Sequence, residues 1–219
     1  MNVAITGAST GIGYQTAMKL AEAGHVVFAI ARRIDYLEKL KKEVLKANPD
    51  ARIHVLAGDI TLPEFRDQIF NTIAAKETNL HILINNAGLL INKPFEELTD
   101  ADWHAVYSTN VFASVNLIRK LLTLFSRKER NHILNISSMG GFQGSAKFKG
   151  LSAYSSSKAA LAGVTECLAE EFKEKNIAVN CLCLGSVQTE MFAAAFPGYE
   201  AATTSAEMAD YVAEFALQG

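Results

Sequence analysis

The chain has 219 residues, of which 49% are apolar and 20% charged, so it reads as a globular α/β chain and not as a disordered or fibrous one. A net charge of −2 gives no electrostatic footprint for nucleic acid or for an anionic membrane. Three cysteines imply no disulfide framework; Cys181 and Cys183 alternate along an apparent strand as small core residues, and no metal site is expected. Met1 leads straight into Asn2-Val3-Ala4-Ile5 without a basic leader, and no run reaches the roughly 18 apolar residues of a membrane span. The expectation is a soluble cytoplasmic protein.

In chain order, Val3–Thr6 is a short apolar run ending at Gly7, as in a buried strand. A helix follows over Gly11–Ala23 and stops at Gly24. Val26–Ala31 is a second strand, Leu37–Ala47 a charged amphipathic helix, Ile53–Ala57 a third strand and Pro63–Ala75 a helix. Ile82–Asn85 is a fourth strand, ending in Asn86-Ala87-Gly88. A long helix is predicted from Thr99-Asp100, with a capping pattern to Asp102, through to Phe125. Ile133–Ser137 is a fifth strand, Ala153–Lys173 a long helix, Ile177–Leu184 a sixth strand and Ala206–Leu217 a last helix. Continuously apolar strands separated by helices predict a doubly wound parallel sheet covered on both faces, three layers deep, in a single domain.

Ligands of such sheets bind at the carboxyl ends of the strands. There the chain collects Gly7, Ala31-Arg32, Asp59, Asn85 to Gly88, Ser137-Ser138 and Leu184-Gly185. The stretch Thr6-Gly7-Ala8-Ser9-Thr10-Gly11-Ile12-Gly13 lies between a strand and a helix, where glycines allow a close backbone approach and the helix start presents free N–H groups. That is the context of a dinucleotide site; the alternative is a turn glycine plus a packing glycine. After the second strand, Arg32-Arg33 stands where a carboxylate would bind a ribose 2′-OH. The expected cofactor is NADP, with Arg32 the stronger candidate for its phosphate; in the other reading Arg33 faces solvent and Asp35 caps the next helix.

Tyr154 and Lys158 stand four apart at the start of a helix and so share a face. A cation one turn away favours the phenolate and draws the phenol toward the range useful for acid–base chemistry. An isolated Tyr-x-x-x-Lys is an ordinary exposed helix face; the surrounding motifs change that.

Across nearly its whole length the chain resembles the short-chain dehydrogenase/reductase family. The glycine pattern is met from Thr6 to Gly13, the Asn-Asn-Ala-Gly pattern from Asn85 to Gly88, and an adenine-contacting pair at Asp59-Ile60. The family's Asn, Ser, Tyr and Lys set is met by Asn110, Ser138, Tyr154 and Lys158, Ser138 being chosen over Ser137 by the spacing Ser138-Met139-Gly140-Gly141. The resemblance implies hydride transfer between a carbonyl and a secondary alcohol. Ser138 would hold the reacting oxygen, Tyr154 would exchange its proton, and Lys158 would contact the nicotinamide ribose and lower the Tyr154 pKa. Asn110 would hold a water leading to solvent. Cofactor contacts are implied at Gly7, Ser9, Thr10, Gly11, Ile12, Gly13, Arg32, Arg33, Asp59, Ile60, Asn86, Ala87, Gly88, Tyr154, Lys158, Gly185, Val187 and Thr189.

Two features depart from the family pattern. Leu184-Gly185 replaces its Pro-Gly, and the sequence stops at Gln218-Gly219 before the expected seventh strand: either that strand is absent, which would leave a sheet edge open or covered by a partner, or the chain is shortened. Residues 189–204, with Pro197-Gly198 in their middle, read as a short lid. Leu89, Leu90, Phe95, Met139, Phe142, Met191, Phe192, Phe196 and Tyr199 are candidate walls for an apolar carbonyl substrate. Family members pair through the helices placed here at 102–125 and 153–173, so a homodimer or homotetramer is expected. The rival readings are an NAD-linked dehydrogenase of the same fold and a dinucleotide-binding regulatory protein that turns nothing over.

Overall fold

A computed structural model of the chain describes every residue except Thr78 and Arg127. Six parallel strands form the central sheet: β1 (Asn2–Thr6), β2 (Val26–Ala31), β3 (Ile53–Ala57), β4 (Ile82–Asn85), β5 (Asn131–Ser138) and β6 (Ile177–Leu184), in the order β3-β2-β1-β4-β5-β6. Alternate residues enter opposite layers, as the twofold strand period requires. Val3, Ile5, Val27 and Ala29 pack on α1 (Gly11–Glu22), α2 (Ile34–Ala47) and α8 (Ser205–Gln218). Ala4, Val26, Phe28 and Ile30 pack on α3 (Pro63–Lys76) and α5 (Ala113–Leu121). Because both faces are covered, β1 and β2 are buried at every residue, which is why their sequences show unbroken apolar runs.

The strand order reverses between β1 and β4, so the loops leaving these two strands diverge and open a crevice at the carboxyl edge. α6 (Ser152–Glu171) crosses from β5 to β6 and carries Tyr154 and Lys158 to the same rim. Beyond β6, a two-residue strand β7 (Val187–Gln188) pairs with β8 (Thr203–Thr204), enclosing the short helix α7 (Glu190–Ala195). β6 is the last strand of the sheet. Among the described residues no helix is long and apolar enough to cross a membrane.

The predicted helix from Thr99 to Phe125 is not continuous. α4 (Asp100–Tyr107) opens with the Thr99–Asp102 capping box read from the sequence, but a π turn over Ser108–Phe112 separates it from α5, and a 3-10 turn closes the segment at Leu122–Leu124. The wider turn swings Asn110 into the interior, where it is fully buried.

Candidate active site

Asn110 is held from three directions. Its Oδ1 accepts from the Leu89 N–H at 2.7 Å, and its Nδ2 donates to the Leu89 carbonyl and to Ser157 Oγ, both at 2.9 Å. The loop after β4 is thereby fixed against α6. A Cβ placed on Gly88 would lie 3.4 Å from Asn110 Oδ1 and 3.5 Å from Lys158 Nζ, so the last residue of the Asn-Asn-Ala-Gly motif separates two of the predicted residues by little more than a methyl group.

The end of β5 reaches α6 by close backbone contact. A Cβ on Gly141 would stand 2.6 Å from Ala159 N and from the Lys158 carbonyl carbon, so the turn Met139–Gly141 rests directly on the helix. The two serines then divide. Ser137 Oγ is buried and donates to the Lys158 carbonyl at 2.8 Å, tying strand to helix. Ser138 Oγ accepts from Gly140 N at 3.1 Å, and its hydroxyl lies near enough to the Tyr154 phenol to draw the phenol's pKa down. Ser138 is thus the serine nearer Tyr154, while Ser137 is turned to the helix backbone.

Lys158 is only 4% exposed; its Nζ donates to the Ile136 carbonyl at 2.8 Å and lies 5.9 Å from the centre of the Tyr154 ring. Burial penalises the ammonium and lowers its pKa to about 8. The phenol behaves differently from the sequence expectation. Burial holds the Tyr154 pKa above its usual value, opposed by the Ser138 hydrogen bond, and the ammonium is not among the causes. Lys158 is bonded to a carbonyl of β5, and desolvation of the phenol outweighs a cation 5.9 Å from its ring centre.

On the other side of the crevice, Thr6 Oγ1 accepts from the N–H groups of Asn86 and Ala87, while Asn86 Nδ2 donates to the carbonyls of Thr6 and Gly7. A Cβ at Gly13 would meet Gly7 O and Asn86 Nδ2 at 2.4 Å, so α1, the glycine turn and the loop after β4 form one tight cradle. Gly11 adopts φ +59, and α1 starts at Thr10 without a side-chain cap, leaving its first turn open to an anion. Ser9, Thr10, Gly11, Tyr36, Gln188, Thr189 and Glu190 line a cleft of about 470 Å³ over this turn. A glycine cradle, an uncapped helix start and a flanking guanidinium are the donor set a dinucleotide phosphate needs, and the site fits one.

The remaining predicted residues are distributed as follows. Arg32 is exposed, whereas Arg33 is turned onto the glycine loop: its Nη2 donates to Thr10 Oγ1 and Glu190 Oε2, each at 3.1 Å, and its Cζ stacks 3.9 Å over Tyr36. Asp59 Oδ1 accepts from the N–H and hydroxyl of Thr61, and Ile60 is buried in the core layer of α3 and α5. Gly185 has open space around it, Val187 is buried, and Thr189 caps α7 by accepting from Phe192 N at 3.1 Å. Sequence reasoning overlooked Thr6 as the hub of the cradle, Tyr36 as the platform for Arg33, and Glu190; a lone exposed Glu after Thr189 carries no local signal.

A family model described as short chain dehydrogenase matches residues 1–200. The chain belongs to the short-chain dehydrogenase family. It is 34% identical over 191 residues to a fatty acyl-CoA reductase of Acinetobacter baylyi, covering 86% of this chain and 63% of that one. It is 32% identical over 192 residues to a 3-oxoacyl-(acyl-carrier-protein) reductase of Aggregatibacter actinomycetemcomitans, covering 86% and 77%. Among solved structures, a proposed NAD(P)-dependent gluconate 5-dehydrogenase of Beutenbergia cavernae with bound NADP superposes with a TM-score of 0.87 at 28% identity, over 98% of this chain and 88% of that one. Short-chain dehydrogenases are nicotinamide-dependent oxidoreductases, and the parallel sheet with helices on both faces is the fold this chain shares with that solved structure.

Proposed function

We propose that the chain is an NADP(H)-dependent oxidoreductase that interconverts a carbonyl and a secondary alcohol, with Tyr154 as the general acid and base. One observation carries the reading: the Tyr154 phenol lies beside the Ser138 hydroxyl and one turn from the buried Lys158 ammonium, near a glycine cradle suited to a dinucleotide. NADPH, when bound, supplies the hydride. Gly7, Ser9 to Gly13 and Asn86 to Gly88 would hold its diphosphate and nicotinamide halves, Arg33 its 2′-phosphate, and Gly185, Val187 and Thr189 its carboxamide end.

In reduction, Ser138 donates a hydrogen bond to the substrate oxygen and keeps it within reach of the phenol. Tyr154, held protonated by its buried surroundings, donates its proton to the oxygen as negative charge develops there. The Lys158 ammonium, bonded to the Ile136 carbonyl and 5.9 Å from the centre of the ring, would contact the nicotinamide ribose and hold it beside the phenol. Asn110 fixes the Leu89 backbone and, with it, the wall of the pocket. In oxidation the same groups run in reverse.

An apolar substrate is favoured by the residues that ring the crevice: Met139, Phe142 and Met191 are all substantially exposed there. The named activities of the relatives on acyl-CoA and oxoacyl thioesters support the same class. We also propose a homodimer built on α4, α5 and α6. The test is NADPH consumption against ketones, aldehydes and acyl thioesters, with Tyr154→Phe alongside. Turnover in the wild type that falls by about 10²- to 10⁴-fold in the variant, with NADPH affinity within twofold, is expected. NADPH binding without turnover of any carbonyl would favour a cofactor-binding protein instead.

A further inference from the structure

We infer that Glu190 sets the preference between phosphorylated and unphosphorylated nicotinamide cofactors, by pairing with Arg33 in competition with the 2′-phosphate. The inference rests on the reading of Arg33 as the phosphate-binding group. Arg33 is drawn onto the cradle by three contacts: Thr10 Oγ1 and Glu190 Oε2 on the same Nη2, and the Tyr36 ring beneath its plane. Thr10 and Tyr36 are neutral and leave the guanidinium's charge available. Glu190 is the anion of the set, and its ion pair joins the end of β2 to the first residue of α7 across the mouth of the cleft.

A 2′-phosphate carries close to two negative charges and three acceptor oxygens, and it binds a guanidinium through the N–H groups a carboxylate would use. Glu190 stands in for that phosphate. To take Arg33, a phosphorylated cofactor displaces the carboxylate from Nη2 and then lies near its charge. NADH and AMP, which lack the phosphate, meet neither obstacle. Removing the charge at residue 190 should therefore improve binding of the phosphorylated ligands alone. Both partners are well exposed, which limits an ion pair of this kind to the weak end of the scale. That corresponds to about a two- to fivefold change in affinity, and it should shrink as salt screens the pair.

The experiment is a fluorescence or calorimetric titration of wild type, Glu190→Gln, Arg33→Ala and the double variant. Four ligands are used: NADPH, NADH, adenosine 2′,5′-bisphosphate and AMP, at low and high salt. Expected is a two- to fivefold tightening of NADPH and of the bisphosphate in Glu190→Gln, with NADH and AMP within twofold. The gain should be lost in the double variant. If Arg33→Ala weakens NADPH but Glu190→Gln leaves the NADPH-to-NADH ratio unchanged, the role of Glu190 is refuted while the NADP reading stands. If Arg33→Ala leaves NADPH affinity unchanged, the phosphate assignment fails and the inference falls with it. A gain shared equally by NADH and AMP would mean that Glu190 merely obstructs the cleft, which also overturns it.

Discussion

Lys158 brings its ammonium out of water beside a strand carbonyl, and the cost of doing so depends on pH. An unfolded lysine keeps its proton until about pH 10.4, whereas the buried one releases it near pH 8. Between these values the unfolded chain binds more protons, so this residue adds stability as the pH rises and is most unfavourable below pH 8. The interval corresponds to on the order of 3 kcal/mol. Cys181, pushed up to about 11 by burial, and Tyr14, raised further by burial and its bond to Glu43, withdraw stability over overlapping intervals. They cancel in a comparison with Lys158→Met. The stability advantage of that variant over wild type, from urea unfolding, should shrink by about 3 kcal/mol from pH 7.5 to 10.5. A constant difference would mean that the ammonium remains solvated. The same ionisation predicts that carbonyl reduction weakens above pH 8, as the cation that would contact the nicotinamide ribose is lost, which a kcat/KM profile would record.

At the scale of elements, the π turn at Ser108–Phe112 depends on one side chain. Replacing Asn110 with Ala leaves the N–H and carbonyl of Leu89 without their partner in a partly buried setting, where unpaired groups cost up to about 1–3 kcal/mol each. Asn110→Ala should lose about 2–4 kcal/mol in urea unfolding; a loss under 1 kcal/mol would show that water replaces the amide. This turn also marks where sequence reading stops. The Thr99–Asp102 box, the glycine turn and the apolar strands are local patterns, each set by residues within a few positions of one another, and they were legible. The π turn answers to Leu89, 21 residues earlier in the chain, and no periodicity within the helix announces it. Ser138 could be separated from Ser137 because the Gly140-Gly141 spacing is local too. Between the two arginines the sequence favoured Arg32, whereas Arg33 is the one that reaches the cradle, because that depends on where Tyr36 and Thr10 sit in three dimensions. The phenol's pKa followed the same rule, since a four-residue spacing reports proximity but not the direction in which an ammonium turns.

For the whole molecule, the outer surface of α4 and the π turn carries a run of aromatic rings beside small residues of α6. Phe95, Trp103, Tyr107 and Phe112 form a run of rings with successive centroids 6.2–6.5 Å apart, and Phe112 is 55% exposed. Next to them α6 presents Ala159 and Gly163, one turn apart and both exposed, so that another helix could approach closely. An aromatic run beside small residues fits a second copy of the same surface, related by a twofold axis. Gly163 offers a clean test because a Cβ there meets nothing within 4 Å in the protomer. A larger residue is accommodated by the isolated chain and even favours the helix, by up to about 1 kcal/mol over glycine. In a dimer packed through α6 it collides with the partner. Gly163→Arg should therefore keep the circular dichroism spectrum and thermal unfolding of a folded protomer, while light scattering falls from twice the 23.8 kDa chain mass to that mass alone. Gly163→Ala, adding only a methyl group, should remain dimeric. A wild type that scatters as a monomer, or a Gly163→Arg variant that stays dimeric, would remove α6 from the interface and leave the aromatic run to be explained by the crevice it borders.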